Sequence, residues 1–201
     1  MPTTQPQSKR GELIDERNRV EWVMAKTDSF FIRKTVRCPS DSSFVQEEMD
    51  LGAFVDALGK SVLRVLAVEV IWSDYKGTSL LVDDQEVAAA QYQLTTQTQT
   101  AIVRADNKSL IASGHIIAGA SPIFVGFAGA HYPANNTQIM DIGPQRWTNG
   151  YLVGVDSIYL GGTASTLGWD DNEYPYCTVI LECVSETLSQ SAAMALALSQ
   201  Q

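Results

Sequence analysis

Residues 62–72, VLRVLAVEVIW, constrain the fold more than any other stretch of the chain. Only Arg64 and Glu69 interrupt the apolar residues, and both alternating sets of positions are mostly hydrophobic. A short apolar run rich in valine and isoleucine predicts a β-strand that is buried on both faces. We therefore expect this strand in the middle of a packed domain.

The residues just before this strand predict a short helix over residues 50–58. Asp50 is a favourable N-cap residue, and Gly59 suits the left-handed conformation that ends many helices. The apolar positions expected on one face of this helix are Leu51, Phe54, Val55 and Leu58.

The rest of the chain predicts further short strands separated by turn residues, without an internal repeat and without alternating strands and helices. They cover residues 30–38, 92–104, 109–117, 123–127, 138–142, 151–160 and 176–184. An all-β, antiparallel sandwich is the expected class. About eight or nine short strands, with a helix before the second, suit an eight-stranded jelly roll better than a compact immunoglobulin domain.

Charge divides the chain into parts. Residues 1–37 hold eight Lys and Arg against five Asp and Glu, whereas residues 38–201 hold six against 18. We expect a partly helical N-terminal arm over residues 1–28, a jelly-roll sandwich over residues 29–186 and a C-terminal arm over residues 187–201. The acidic body would repel nucleic acid, so sequence-specific nucleic-acid binding is not expected. For the arm, a solvated helix with mixed charges is the simpler interpretation.

Nothing in the sequence predicts a secretory signal or a transmembrane helix. The N-terminus has no apolar core of the kind that signal peptides carry. Residues 110–130 lack charged side chains, but four glycines and Pro122 divide them into two apolar runs that suit strands joined by a turn. Cys177 and Cys183 are six residues apart, roughly 20 Å along a strand, and are predicted to be core residues together with Cys38.

Enzymatic chemistry has no positive support in the sequence, and no cofactor is expected. The chain has only two histidines, His115 and His131, and neither stands in a metal-ligating motif. No nucleophile elbow and no glycine-rich phosphate-binding loop occurs. An enzyme on a jelly-roll frame would need one of the histidines to meet carboxylates that the sequence does not place nearby.

Two acidic clusters are candidates for calcium binding, because carboxylate oxygens are the ligands that calcium prefers. Their spacing does not match the EF-hand, and solvated loops are the simpler interpretation. The candidate ligands are Asp83, Asp84, Asp170 and Asp171.

A resemblance to a known family rests on residues 49–68, on the Thr- and Gln-rich middle of the chain and on residues 149–161, NGYLVGVDSIYLG. In length and strand order the chain resembles the single jelly-roll major capsid proteins of tailless icosahedral viruses, particularly those of archaea. The resemblance implies a sandwich of two four-stranded sheets. It also implies capsomers that tile an icosahedral shell, often over an internal membrane.

The same resemblance implies partners and a location. The partners are copies of the chain and other capsid proteins, and the location is the virion. The N-terminal arm would meet an internal membrane, the genome or a neighbouring subunit, and the C-terminal arm would clasp an adjacent subunit. The arm residues expected to take part are Lys9, Arg10, Arg17, Arg19, Leu188 and Leu196.

The alternative function is a carbohydrate-binding or adhesive β-sandwich. Aromatic side chains in loops stack on sugar rings in such modules, although packing within the protein is the commoner use of tryptophan. Trp72, Trp147 and Trp169 are candidates for a sugar-binding platform, and the loop aromatics that would stack on sugars are Trp147, Trp169, Tyr174 and Tyr176.

Overall fold

The fold is described from a computed structural model of the chain. It describes residues 28–56, 58, 60–80, 82, 87–124, 131–138, 145–166, 168–169 and 174–200, and for residues 119–138 only the backbone is considered.

Nine strands and one helix follow one another along the described residues. The strands are β1 (Phe30–Arg37), β2 (Val45–Asp50), β3 (Ser61–Ser73), β4 (Val87–Thr95), β5 (Leu110–Phe124), β6 (His131–Gln138), β7 (Gln145–Val153), β8 (Ser157–Ala164) and β9 (Tyr176–Thr187). The helix is α1 (Gln190–Ser199). The strands form a four-stranded sheet in the order β1-β9-β3-β7 and a five-stranded sheet in the order β2-β8-β4-β5-β6.

The pairing of the strands is that of a jelly roll. Antiparallel pairs nest inside one another along the chain: β1 pairs with β9, β2 with β8, β3 with β7, and β4 with β5. Such nesting is what results when one long antiparallel hairpin is wrapped into a sandwich. The β3–β9 and β4–β8 pairs then join the nested pairs into two sheets. The all-β antiparallel jelly-roll sandwich predicted from the sequence is therefore confirmed.

The core lies between the two sheets and draws on both of them. In β9 the alternation is regular, because Cys177, Val179, Leu181 and Cys183 are fully buried while the residues between them are more exposed. Leu160 of β8 and Leu94 of β4 are fully buried in the same core from the opposite sheet. The predicted placement of the cysteines in the core is confirmed.

The central strand β3 has two halves. It lies between β9 and β7, and Val62, Leu63 and Val65 are fully buried, as a strand covered on both faces requires. Towards its end Glu69 and Ile71 are exposed. A shift of register between Val65 and Ala67 separates the halves.

The predicted helix over residues 50–58 is wrong. The carbonyl of Leu51 accepts hydrogen bonds from the N–H groups of Phe54 at 2.8 Å and Val55 at 2.9 Å, which makes a single turn. The chain then reverses at once, because Asp56 and Ser61 form a two-way backbone bridge. Leu51 and Val55 have helical spacing because both side chains of this turn are buried in the core. Leu58, which was predicted to lie on the same face, is 74% exposed.

Strand boundaries also differ from the prediction. The second strand is β2, which the sequence pattern does not reveal because only its residue Met49 is buried. The predicted strand over residues 151–160 is divided by Gly154, Val155 and Asp156 between β7 and β8. With β6 at the edge of the second sheet, the described residues form nine strands, within the eight or nine that the sequence predicts.

Candidate assembly surfaces

The C-terminal helix α1 is held on the body of its own chain. Ser189 caps the helix by accepting a hydrogen bond from the N–H of Ala192, and Ala193 is fully buried. Leu196 lies against Gly154, where an added Cβ would stand 3.0 Å from the leucine side chain. An added Cβ at this position would therefore require the Leu196 side chain to shift by a few tenths of an ångström.

Gln200 holds the end of the helix through hydrogen bonds to two segments, residues 152–154 and residues 96–97. Its side chain donates to the carbonyl of Leu152 at 2.7 Å and accepts from the N–H of Gly154 at 2.8 Å. Its own carbonyl accepts from the hydroxyl of Thr96 at 2.9 Å and from the Gln97 side chain at 3.2 Å. A buried glutamine with all these partners fixes the helix as part of the fold.

The two predicted C-terminal arm residues therefore have contacts within the chain. The Leu188 N–H donates to the carbonyl of Lys60 at 2.9 Å, and Leu196 packs on Gly154. The outer side of α1 is apolar and exposed, with Met194 and Leu198 one turn apart. The four N-terminal arm residues, Lys9, Arg10, Arg17 and Arg19, lie outside the described residues.

A groove opens at the same end of the sandwich. Its lining comes from the turn before β3, the turn before β8 and helix α1, and its volume is about 240 Å³. This volume lies below the about 300–1,000 Å³ that is typical of small-molecule sites. The lining residues are Val55, Asp56, Leu58, Gly154, Val155, Asp156 and Ala197.

The edge strands β1 and β2 form one side of the sandwich, which we call the β1–β2 side. Bases collect on β1, which carries Arg33, Lys34 and Arg37. Acids collect on β2, which carries Glu47, Glu48 and Asp50. One ion pair, between Lys34 and Glu47 at 3.5 Å, joins the two strands.

The predicted calcium ligands Asp83, Asp84, Asp170 and Asp171 lie outside the described residues. Within the described part of the chain, no group of three or more His, Cys, Asp and Glu side chains is arranged to hold a metal ion. No helix there is both long and apolar enough to cross a membrane.

Among the side chains that the structure describes, the candidate groups for catalysis are not brought together with carboxylate partners. His115 of β5 lines a cavity of about 110 Å³, and the described residues around it include no Asp or Glu. Burial raises the pKa of the Cys38 and Cys183 thiols to about 12 and raises that of Cys177 as well. These thiols are therefore neutral near pH 7 and pack as small apolar side chains.

Several of the aromatic residues proposed to bind sugars have contacts within the chain. Trp169 is buried in the core, and the Trp72 ring packs edge-on against Tyr92. Trp147 packs against the core and lies beside Tyr151, with ring centroids 5.8 Å apart. Because Trp169 is buried, the prediction that its ring would stack on a sugar is wrong. The Tyr174 ring is covered by the guanidinium of Arg37 at 3.7 Å.

Two structural features escaped the sequence interpretation. The role of Gln200 in holding α1 has no sequence signature, because a glutamine near a chain end is usually solvated. The division of charge between β1 and β2 is visible in the sequence as three bases in residues 30–37 and three acids in residues 45–50. Only the fold shows that these two segments lie side by side.

Comparisons with known proteins give the following results. No protein-family model matches the chain, and no curated protein matches it. Two similar solved structures are of VP1 from Trichodysplasia spinulosa-associated polyomavirus. One, in complex with sialylated precision glycooligomers, has 8% identity and a TM-score of 0.39, covering 80% of this chain and 95% of that chain. The other, in complex with GM1 oligosaccharide, has 8% identity and a TM-score of 0.35, covering 82% and 96%.

Proposed function

We propose that the chain is a structural subunit of a virus capsid, which assembles with copies of itself into capsomers and an icosahedral shell. The observation that carries the proposal is the nested strand order of the jelly roll, an architecture on which viral capsid domains are built. The sequence resemblance to single jelly-roll capsid proteins of tailless viruses, particularly archaeal ones, supports it. The role is structural and not catalytic, and the location is the virion.

The position of the chain ends supports assembly through arms. Phe30, at the start of β1, is opposite Cys183, near the end of β9, and Thr187 at the end of β9 is opposite Ser61. Both chain ends therefore leave the jelly roll at one end of the sandwich. A closed shell needs several different contact faces on each subunit, and two arms that start side by side supply two of them.

The arms have different proposed partners. Lys9, Arg10, Arg17 and Arg19 give the N-terminal arm groups that suit the anionic headgroups of an internal membrane, the phosphates of a genome or a neighbouring subunit. The exposed apolar side of α1 would contact an adjacent copy or another capsid protein. The proposed N-terminal arm covers residues 1–28, the jelly-roll body residues 29–186 and the C-terminal arm residues 187–201.

Truncation tests the proposal. The full chain, a chain without residues 1–26 and a chain without residues 187–201 would be purified and viewed by electron microscopy. We expect closed particles from the full chain and altered assembly from each truncation. A matched control without residues 1–8, which hold no charged side chain, should assemble normally. Circular dichroism would check that each variant remains folded.

Normal shells from both truncations would contradict the role of the arms. A monodisperse monomer that bound sugars on a glycan array would contradict the capsid proposal and favour the carbohydrate-binding alternative.

A further inference from the structure

The charges of the β1–β2 side are sorted by sign. Strand β1 carries three bases and no acid, whereas β2 carries three acids and no base. Charged side chains on edge strands commonly prevent nonspecific strand pairing. That protection works with charges of either sign, and it does not require bases on one strand and acids on its neighbour. The sorting therefore needs a separate explanation.

Most of these charges are not neutralised inside the subunit. Apart from the Lys34–Glu47 pair, none of them forms an ion pair within the described part of the chain. The residues concerned are Arg33, Arg37, Glu48 and Asp50, and all four are exposed.

Local contacts keep three of these groups in place. The Arg37 guanidinium lies over the Tyr174 ring at 3.7 Å. Glu48 accepts a hydrogen bond from the Ser157 hydroxyl at 2.6 Å, and Asp50 accepts one from the Gly52 N–H at 2.8 Å. Groups that are already held lose less conformational entropy when a partner binds.

The sorted charges fit a second copy related by a two-fold axis. Consider a two-fold axis that passes through the Lys34–Glu47 pair and points straight out of the β1–β2 side, perpendicular to the strands. This axis places β1 of each copy beside β2 of the other copy and reverses the direction of the strands. Arg37 lies three residues beyond Lys34, and Asp50 lies three residues beyond Glu47. Three residues span about 10 Å of a strand. Each Arg37 would therefore be at the same height as Asp50 of the other copy.

We propose that the β1–β2 side binds the same side of a second copy of the chain, with the bases of each β1 facing the acids of the other β2. The contact is isologous, because every residue pair occurs twice across the axis. The inference rests on the proposed function in one respect, since it names one of the contacts through which copies would assemble.

A charge-swap experiment on the full chain tests this contact. One variant, Arg33→Glu with Arg37→Glu, makes the side wholly acidic apart from Lys34. A second variant, Glu48→Lys with Asp50→Lys, makes it basic apart from Glu47. We expect each variant alone to associate at least about tenfold more weakly than the native chain in sedimentation velocity at low salt. A mixture of the two should recover association within about threefold of the native value.

The matched control reverses charge elsewhere. Arg104 and Asp106 are a highly exposed pair, with the Arg104 Nε and an Asp106 carboxylate oxygen 3.9 Å apart. Arg104→Glu and Asp106→Lys should each leave association unchanged. Circular dichroism would show whether each charge-swap variant folds. If both do, a chain that carries all four β1–β2 substitutions should associate with itself again.

Native association by both variants, or no recovery in the mixture, would overturn the inference. Electron microscopy of the same samples separates it from the proposed function. Shells that form equally well from every variant contradict the contact and leave the capsid role standing. Charge-dependent pairs from a chain that never forms shells contradict the capsid role and leave the contact standing.

Discussion

The interior of the sandwich and the β1–β2 side use the same strand in opposite ways. In β1, Val36 is buried in the core, whereas its neighbours Thr35 and Arg37 are exposed. Because successive side chains of a strand point to opposite faces, one alternating set of β1 residues stabilises the core and the other set lies on the surface. Substitutions in the interior should therefore change the free energy of unfolding, and substitutions on the β1–β2 side should change association.

The largest expected effect comes from Leu181→Ala. Leu181 is fully buried in β9, and the cavity left by its truncation should cost about 2–5 kcal/mol of unfolding free energy. Its neighbour Ile180 points to the outer face and is half-buried, so Ile180→Ala should cost clearly less. Urea denaturation followed by circular dichroism measures both. Equal losses would contradict the assignment of the two faces.

Gly162→Ala should have the next largest effect on the interior. A Cβ on Gly162 would lie 2.5 Å from the Cys38 Sγ and 3.3 Å from Cγ1 of Val36. Overpacking of this kind costs about 1–3 kcal/mol. Replacing Cys38 by the smaller alanine should cost stability alone but recover part of the loss when combined with Gly162→Ala. A double-mutant cycle with no coupling would contradict the contact.

Gln200→Ala should weaken the attachment of α1 to the body. The substitution leaves the Gly154 N–H and the Leu152 carbonyl without their partner, at a cost of about 1–2 kcal/mol. Hydrogen exchange of residues 190–199 should accelerate, while exchange in β9 should stay close to native. Leu198→Ala is the matched control, because Leu198 is 68% exposed and should change exchange little. Equal hydrogen-exchange rates of residues 190–199 in the Gln200→Ala and Leu198→Ala variants would contradict the role of Gln200.

The smallest effect is a pH dependence at the β3–β9 pair. A hydrogen bond from the Arg64 guanidinium lowers the pKa of Glu186. Because the folded pKa lies below the unfolded value of about 4.3, the stabilisation is present above that pH. It is lost as the pH falls through the folded pKa.

Glu186→Gln should therefore flatten the loss of stability below about pH 5, as measured by thermal unfolding at several pH values. Glu182→Gln is a control on the same strand, since the cross-strand neighbours of Glu182 are Phe31 and Ala67. A native pH profile in the Glu186 variant would contradict the effect.

The sequence predicted those parts of the fold that depend on regular alternation. Strand β9 has apolar residues at every second position, so its position and its buried face were both predictable. The single turn before β3 was not predictable in this way, because Leu51 and Val55 have helical spacing but the Asp56–Ser61 bridge ends the helical path after one turn. Tertiary pairing overrode the local pattern.

The candidate surfaces were less predictable than the fold. The charges of β1 and β2 belong to two separate stretches, and β2 has only Met49 as a buried residue to reveal it as a strand. Their meeting depends on the rolled hairpin, which places β1 and β2 on different sheets at the same side of the sandwich. Local sequence carries no information on such long-range neighbours.

The mass of the assembly that the purified chain forms tests the capsid role most directly. Light scattering combined with electron microscopy should find ring-shaped capsomers or closed shells built from many copies of the chain. A single species of 21.9 kDa at every protein concentration and salt concentration would contradict that role.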